Sequence, residues 1–201
     1  MAKLKAPLMS LGASQKLGDA LVYFAWKGLN VVREYVIPAN PNTTAQSTHR
    51  ARLTAAVANI HACQAYASHA LSEADKTALA LWGSTFATPR TWFNVAVKQW
   101  IDRLVDSLLG FNMTHGVMTA GAGQISASIW AVGNDVTSGW FYYGKSKTSM
   151  VNREASADAA GNHTATITGL TAGIKYYVQF VGAGPANYLN VKSGIYHATP
   201  S

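Results

Sequence analysis

In residues 20–37 the stretches ALVYFAW and LNVVREYVI flank Lys27-Gly28. Val31, Arg33, Tyr35 and Ile37 alternate with Val32, Glu34 and Val36, the two-residue period of a strand, so the segment predicts a β-hairpin closed by a tight turn. Apolar residues stand on both faces. A two-stranded hairpin is marginal alone in water, so it needs cover from elsewhere, and Val32, Tyr35, Val36 and Ile37 are the expected assembly contacts. Pro38 and Pro41 forbid continuation of the ladder. Thr43 or Thr44 then offers an N-cap, with Gln46 completing a capping-box pattern after Thr43.

The pattern now changes to a helical period. A first helix is expected over about 44–70, with Leu53, Val57 and Ile60 at spacings of four and three among many alanines. LSEADKTALALWG predicts a second: Ser72 caps, Asp75 lies three residues on, Leu79 and Trp82 face inward and Gly83 terminates. A third is expected to start at Thr88-Pro89 and run to Gly110, with Phe93, Val97, Trp100, Ile101, Leu104 and Leu108 forming one apolar stripe.

After Gly110 the texture changes again. Residues 111–201 are rich in Gly, Thr, Ser and Tyr, and QISASIWAV, GWFYYG, HTATITGL, IKYYVQFVG and GIYHAT read as short strands of a β-sandwich. The expected class is therefore α+β. It divides into an arm (1–19), a hairpin plus three-helix assembly module (20–110) and an all-β sandwich (111–201), with the boundary near 110–116.

TATITGLTAGIKYYVQFVGAG resembles the second half of a fibronectin type III domain, a family with an immunoglobulin-like sandwich. Leu170 closes one strand, Gly173 lies in the turn and Tyr176 opens the next, which is the spacing of a tyrosine corner. GIYHATPS is similar to the family's last strand. Trp130 departs from the family pattern: it directly follows Ile129 and points away from the face that carries Ile125 and Ile129. Residues 10–60, with Trp-Lys-Gly in a hairpin followed by P-A-N-P and a helix, resemble a module of phage and prophage structural proteins, a group with no established chemistry to carry over.

Composition narrows the function classes. The chain has 201 residues, 49% of them hydrophobic, enough for a core without metal or disulfide support. The lone Cys63 cannot form an intramolecular bridge and reads as a small buried residue. The N-terminus is a poor signal peptide and ALVYFAW is too short to span a bilayer. The formal charge is +7, but charged residues make up only 12% of the chain, so the excess reflects few acids. No basic run is suited to a phosphate backbone.

The candidate chemistries are correspondingly thin. His61, Cys63 and His69 lack the three- or four-residue spacing of helical metal sites, and no cofactor is implied. There is no Gly-x-Ser-x-Gly elbow, phosphate loop or His-Glu-x-x-His, so no enzyme is expected. Glu73, Asp75, Asp102 and Asp106 read as exposed helical charges. The glycine loops at 121–124 and 182–185 read as strand connections. Lys27, Arg33, His49, Arg50 and Arg52 could form a basic patch for nucleic acid, but they do not recur along one helical face. Trp140, Tyr142 and Tyr188 form a possible ligand face for host-surface glycans. The resemblances imply a non-enzymatic virion subunit, in capsid, decoration or tail, whose partners are copies of itself and other particle proteins, without nucleic acid or membrane.

Overall fold

The computed structural model describes residues 2–3, 15–18, 20–37, 42–110, 112–132 and 135–201. Most of the expected arm, and the corner at Pro38 and Pro41, lie outside the described residues. Two compact units emerge, Met1–Thr43 and Thr44–Ser201, and the protein is α+β.

The first unit is a sheet of four antiparallel strands in the order β1-β4-β3-β2: β1 (Ala2–Lys3), β2 (Gln15–Leu17), β3 (Leu21–Trp26) and β4 (Leu29–Glu34). Two stretches of the expected arm thus serve as edge strands of the hairpin. Trp26 pairs with Leu29, leaving a two-residue turn in which Lys27 and Gly28 have φ of 49° and 76°. Both values are left-handed, as a type I′ turn requires, and its twist matches that of the strands. Glycine adopts this conformation at no steric cost; Lys27 does so under mild strain. Tyr23 lies opposite Val32 and Phe24 opposite Val31. The buried Tyr23 and Val31 therefore sit on opposite faces. The strand was expected to reach Ile37. It stops at Glu34 because β3 begins at Leu21, opposite Glu34, and beyond that pair Tyr35 N–H donates to the Ala20 carbonyl at 2.8 Å.

In the second unit α1 spans Thr44–Gln64. Its first three turns are exposed apart from the half-buried Arg52. Burial begins at Ala56 and continues through Ile60 and Cys63, so the expected Leu53 stays in solvent. The helix ends six residues earlier than its spacing suggested, because Leu71 N–H turns back to the Cys63 carbonyl. α2 (Glu73–Gly83) carries the predicted capping box between Ser72 and Asp75. α3 (Trp92–Val105) begins with Thr91 as cap rather than at Thr88-Pro89, and ends before Gly110. Ser107 takes the left-handed conformation that glycine normally supplies, with φ of 60°, and Leu108 N–H bonds the Arg103 carbonyl at 2.8 Å. That is a Schellman ending without its usual glycine. The predicted stripe on α3 is half-buried. Its tightest packing falls instead on Val95 and Ala96, small enough for neighbouring helices to close in.

The sandwich comprises β5 (Met113–Gly121), β6 (Gln124–Ala131), β7 (Ser138–Gly144), β8 (Asn152–Ala155), β9 (Ala157–Ala159), β10 (Asn162–Ile167), β11 (Tyr176–Gly184) and β12 (Tyr196–Ala198). One sheet runs β5-β6-β10-β9 and the other β12-β11-β7-β8. Ile125, Ile129 and Ile167 of the first meet Phe141, Val178 and Phe180 of the second in one core. Tyr176 is buried, and its hydroxyl accepts from Thr171 N–H at 3.2 Å, the bond expected of a tyrosine corner. Trp130 does point away from that core, and its indole lies flat against His69 at 3.8 Å.

The composition change near 110 does not separate two bodies. Ala78 of α2 belongs to the sandwich core, and Val132, which follows β6, packs against the helical one. The helices therefore group with the sandwich, not with the hairpin. On heating, the far-UV helical signal and the near-UV aromatic signal of the sandwich should disappear in one transition; two resolved transitions would contradict a shared body. Tyr176→Phe should remove about 1 kcal/mol, a drop of roughly 2–4 °C in Tm for a chain of this size.

Candidate functional site

The expected surfaces come first. Val32 is half-buried in the middle of β4 and Tyr35 half-buried just beyond it, with Lys16 Nζ 4.1 Å from its ring. Val36 and Ile37 are 69% and 76% exposed. The four residues thus lie on one short stretch, but only the last two present free apolar surface.

On β7, Phe141 points inward, so Trp140 and Tyr142 share the outer face of their sheet. Arg153, from β8, covers the Trp140 ring at 4.4 Å. Tyr188 does not extend this face. It stands in the 3-10 turn Ala186–Tyr188, packed against the sandwich core, and burial followed by its bond to Asp135 raises its hydroxyl pKa. Of the basic residues, Lys27 and Arg33 belong to the hairpin unit, where Arg33 lies over Phe24 at 5.4 Å. His49, Arg50 and Arg52 lie on the early turns of α1.

His61 is exposed on α1, and Cys63 and His69 are put to separate uses. Cys63 faces Asn59 Oδ1 at 3.6 Å, and burial pushes its thiol up to about 11, far from a reactive thiolate. His69 stacks on Trp130 and meets the His115 ring edge-on at 5.3 Å. Among the described residues no group of three His, Cys, Asp or Glu is placed to hold a metal ion, and no helix is long and apolar enough to cross a membrane.

The densest polar constellation is one that the sequence reading treated as an exposed helix start. Asp75 is 1% exposed. Its Oδ2 accepts from Ser72 N–H at 2.7 Å, Ser72 Oγ at 2.8 Å and His115 N–H at 2.9 Å. Oδ1 accepts from Gly116 N–H at 2.8 Å and the Tyr196 hydroxyl at 2.7 Å. The capping box supplies the first two donors. A bulge supplies the next two: β5 and β6 slip register between Thr114 and Val117, which frees the N–H groups of His115 and Gly116 from the ladder. His115 has φ of 51° there. Gly116 is required because a Cβ would come within 2.2 Å of the Tyr196 ring. Burial first, and then the Asp75 carboxylate, raise the Tyr196 hydroxyl well above the usual tyrosine range. It remains a donor at any ordinary pH.

Arg103 makes the second joint. Buried on α3, it donates from Nε to the Leu109 carbonyl at 2.7 Å, from Nη1 to Leu189 at 2.8 Å and from Nη2 to Asn187 at 2.8 Å. Gln99, one turn earlier, donates to the Lys192 carbonyl at 2.8 Å. The planar guanidinium thus closes three carbonyls of loop and turn around one helix face, a geometry lysine cannot reproduce. Burial lowers its pKa despite Tyr188 and Asp106 nearby, yet arginine stays charged. Asp75 sealed by five donors, and Arg103 by three acceptors, are arranged to hold elements together rather than to exchange protons with a substrate.

No family model matches the chain, and no curated protein matches it at a significant level.

Asp75→Ala should strand two bulge N–H groups and a tyrosine hydroxyl, and cost about 3 kcal/mol or more. Tyr196→Phe removes a single donor and should cost about 1–2 kcal/mol. Chemical denaturation measures both; equal losses for the two variants would mean that the bulge contacts contribute nothing.

Proposed function

We propose that the chain is a non-enzymatic structural subunit of a phage-type particle, which contacts copies of itself and other particle proteins through the hairpin unit and carries the sandwich outward. The supporting observation is the exposed pair Val36 and Ile37, immediately after β4. Leu17, Trp26 and Leu29 of the same small sheet are exposed as well. A unit of this size buries little apolar surface on its own, and contiguous exposed apolar residues mark interaction sites. Burying each aliphatic side chain contributes roughly 1.5–3 kcal/mol, so a few copies of such a contact suffice for assembly.

The sandwich suits outward display. Its order, β5-β6-β10-β9 over β12-β11-β7-β8, corresponds to A-B-E-D over G-F-C with one added strand, the arrangement of immunoglobulin-like domains. Together with the Tyr176 corner it supports a fibronectin-III-like relationship. In a particle, many copies of a weak outward contact would sum to avidity. Glycan binding on Trp140 and Tyr142 is a second reading, favoured by their shared outer face, and there a sugar would have to displace Arg153 from the Trp140 ring.

Sedimentation velocity and electron microscopy test the proposal. Wild type should form oligomers or particles as concentration rises, while Val36→Lys and Ile37→Glu should remain monomeric with an unchanged near-UV spectrum of the sandwich. A wild type that stays monomeric at high concentration would refute the subunit reading. Variants that assemble like wild type would remove the hairpin unit from the interface.

A further inference from the structure

The segment from Asn152 to Ala160 forms the rim of both sheets at once. β8 is the outermost strand of one sheet and β9 of the other, and the chain crosses between them at Ser156. All residues from Val151 to Ala160 are exposed except the half-buried Ser156. At the crossing, Ser156 N–H donates to the Gly139 carbonyl at 3.0 Å, and its Oγ lies 3.1 Å from the same oxygen and 3.3 Å from His163 Nδ1. His163 is fully buried on β10. It lies against Phe180 at 4.7 Å, with Nε2 3.0 Å from the Val136 carbonyl.

A carbonyl only accepts, so in the neutral ring Nε2 carries the proton and Nδ1 is an acceptor. The single Ser156 hydroxyl proton then serves two acceptors, Nδ1 and the Gly139 oxygen. Protonating the ring resolves the competition: Nδ1–H donates to Ser156 Oγ, and the hydroxyl turns to Gly139. Against that gain stands the larger cost of a cation in a core built around Phe141, Phe180 and Val136. The charged group facing it is Asp158, its register partner on β9, which already accepts from Gly161 N–H at 2.9 Å. Burial outweighs both Asp158 and the Val136 carbonyl and holds the His163 pKa below the ordinary histidine value.

We propose that His163 is an acid-sensitive latch on the rim: at neutral pH it pins the Ser156 crossing, and acidification releases Asn152–Ala160 from both sheets. Once the rim swings away, water solvates the imidazolium, and the edges of β7 and β10 are left open. An opened strand edge is a surface to which another chain can add a strand. The direction follows from linkage. The open form binds its proton near the free-imidazole value of about 6.5, and the closed form binds it at lower pH. Closure is therefore fully favoured above that value and is progressively lost as pH falls below it.

Hydrogen exchange of the full chain, corrected for intrinsic rates, tests this. Between about pH 7.5 and 5.5, amides of residues 152–160 should lose protection by up to about tenfold, the limit for one proton on a group of free pKa about 6.5, while those of β11 keep theirs. His163→Gln keeps a donor for Val136 but cannot titrate, so its rim should respond equally at both pH values. His197→Gln should retain the wild-type response. Ser156→Ala should loosen the rim at both pH values. The proposal is overturned if rim protection is independent of pH in wild type, if it falls in step with that of the whole sandwich, or if the response survives in His163→Gln. Should that variant not fold, the wild-type profile and Ser156→Ala still decide the matter.

Discussion

A buried carboxylate with five hydrogen-bond donors sets the architecture of the larger unit. Asp75 draws its donors from three places far apart in sequence: its own helix start, the bulge of β5, and Tyr196 on β12. An unpaired buried charge would be prohibitive, so α2, the bulge and the last strand are held to one mutual arrangement. The bulge exists in a form the carboxylate can use because His115 accepts a left-handed conformation and Gly116 leaves room for the Tyr196 ring. Arg103 repeats the principle with opposite sign, gathering three carbonyls.

This gives the helices a different role from that of a separate assembly module. They buttress the sandwich: Ala78 enters its core, Ile195 N–H bonds the Ala78 carbonyl at 2.9 Å, and Trp130 takes His69 on its outer side. The outward turn of Trp130 has its physical explanation here, since a tryptophan turned out of the core provides a flat apolar platform for the loop between α1 and α2. Exposed apolar side chains remain in both units, and in the small hairpin unit Leu17, Trp26, Leu29, Val36 and Ile37 are among them.

The rim at Ser156 and the Asp75 junction illustrate two uses of buried polarity. At Asp75 every donor finds an oxygen, which makes for rigidity. At His163 one hydroxyl proton is shared between two acceptors, and a protonation state decides between them.

Local chemistry made much of this legible in the chain. The Lys27-Gly28 turn, the Ser72–Asp75 capping box, the alternating strands and the Leu170–Tyr176 corner all depend on residues within a few positions of one another, so period and spacing suffice to recognise them. What sequence alone could not decide is where those elements meet. Asp75 looked like an exposed helix-start charge because its cap satisfies only part of it; the donors that bury it come from residues 40, 41 and 121 positions away. Arg103 carries no local mark of its role, since two of the three carbonyls it gathers lie 84 and 86 positions away. The composition change near 110 is real, but contacts across it join the two sides, while α3 ends at Val105 and a left-handed Ser107 closes it where no glycine announces the ending. Tyr188 was grouped with Trp140 and Tyr142 on residue type alone, and the 3-10 turn carries it to the sandwich core instead. Periodicity reports which face of an element is apolar; long-range hydrogen bonding and packing determine what that face touches.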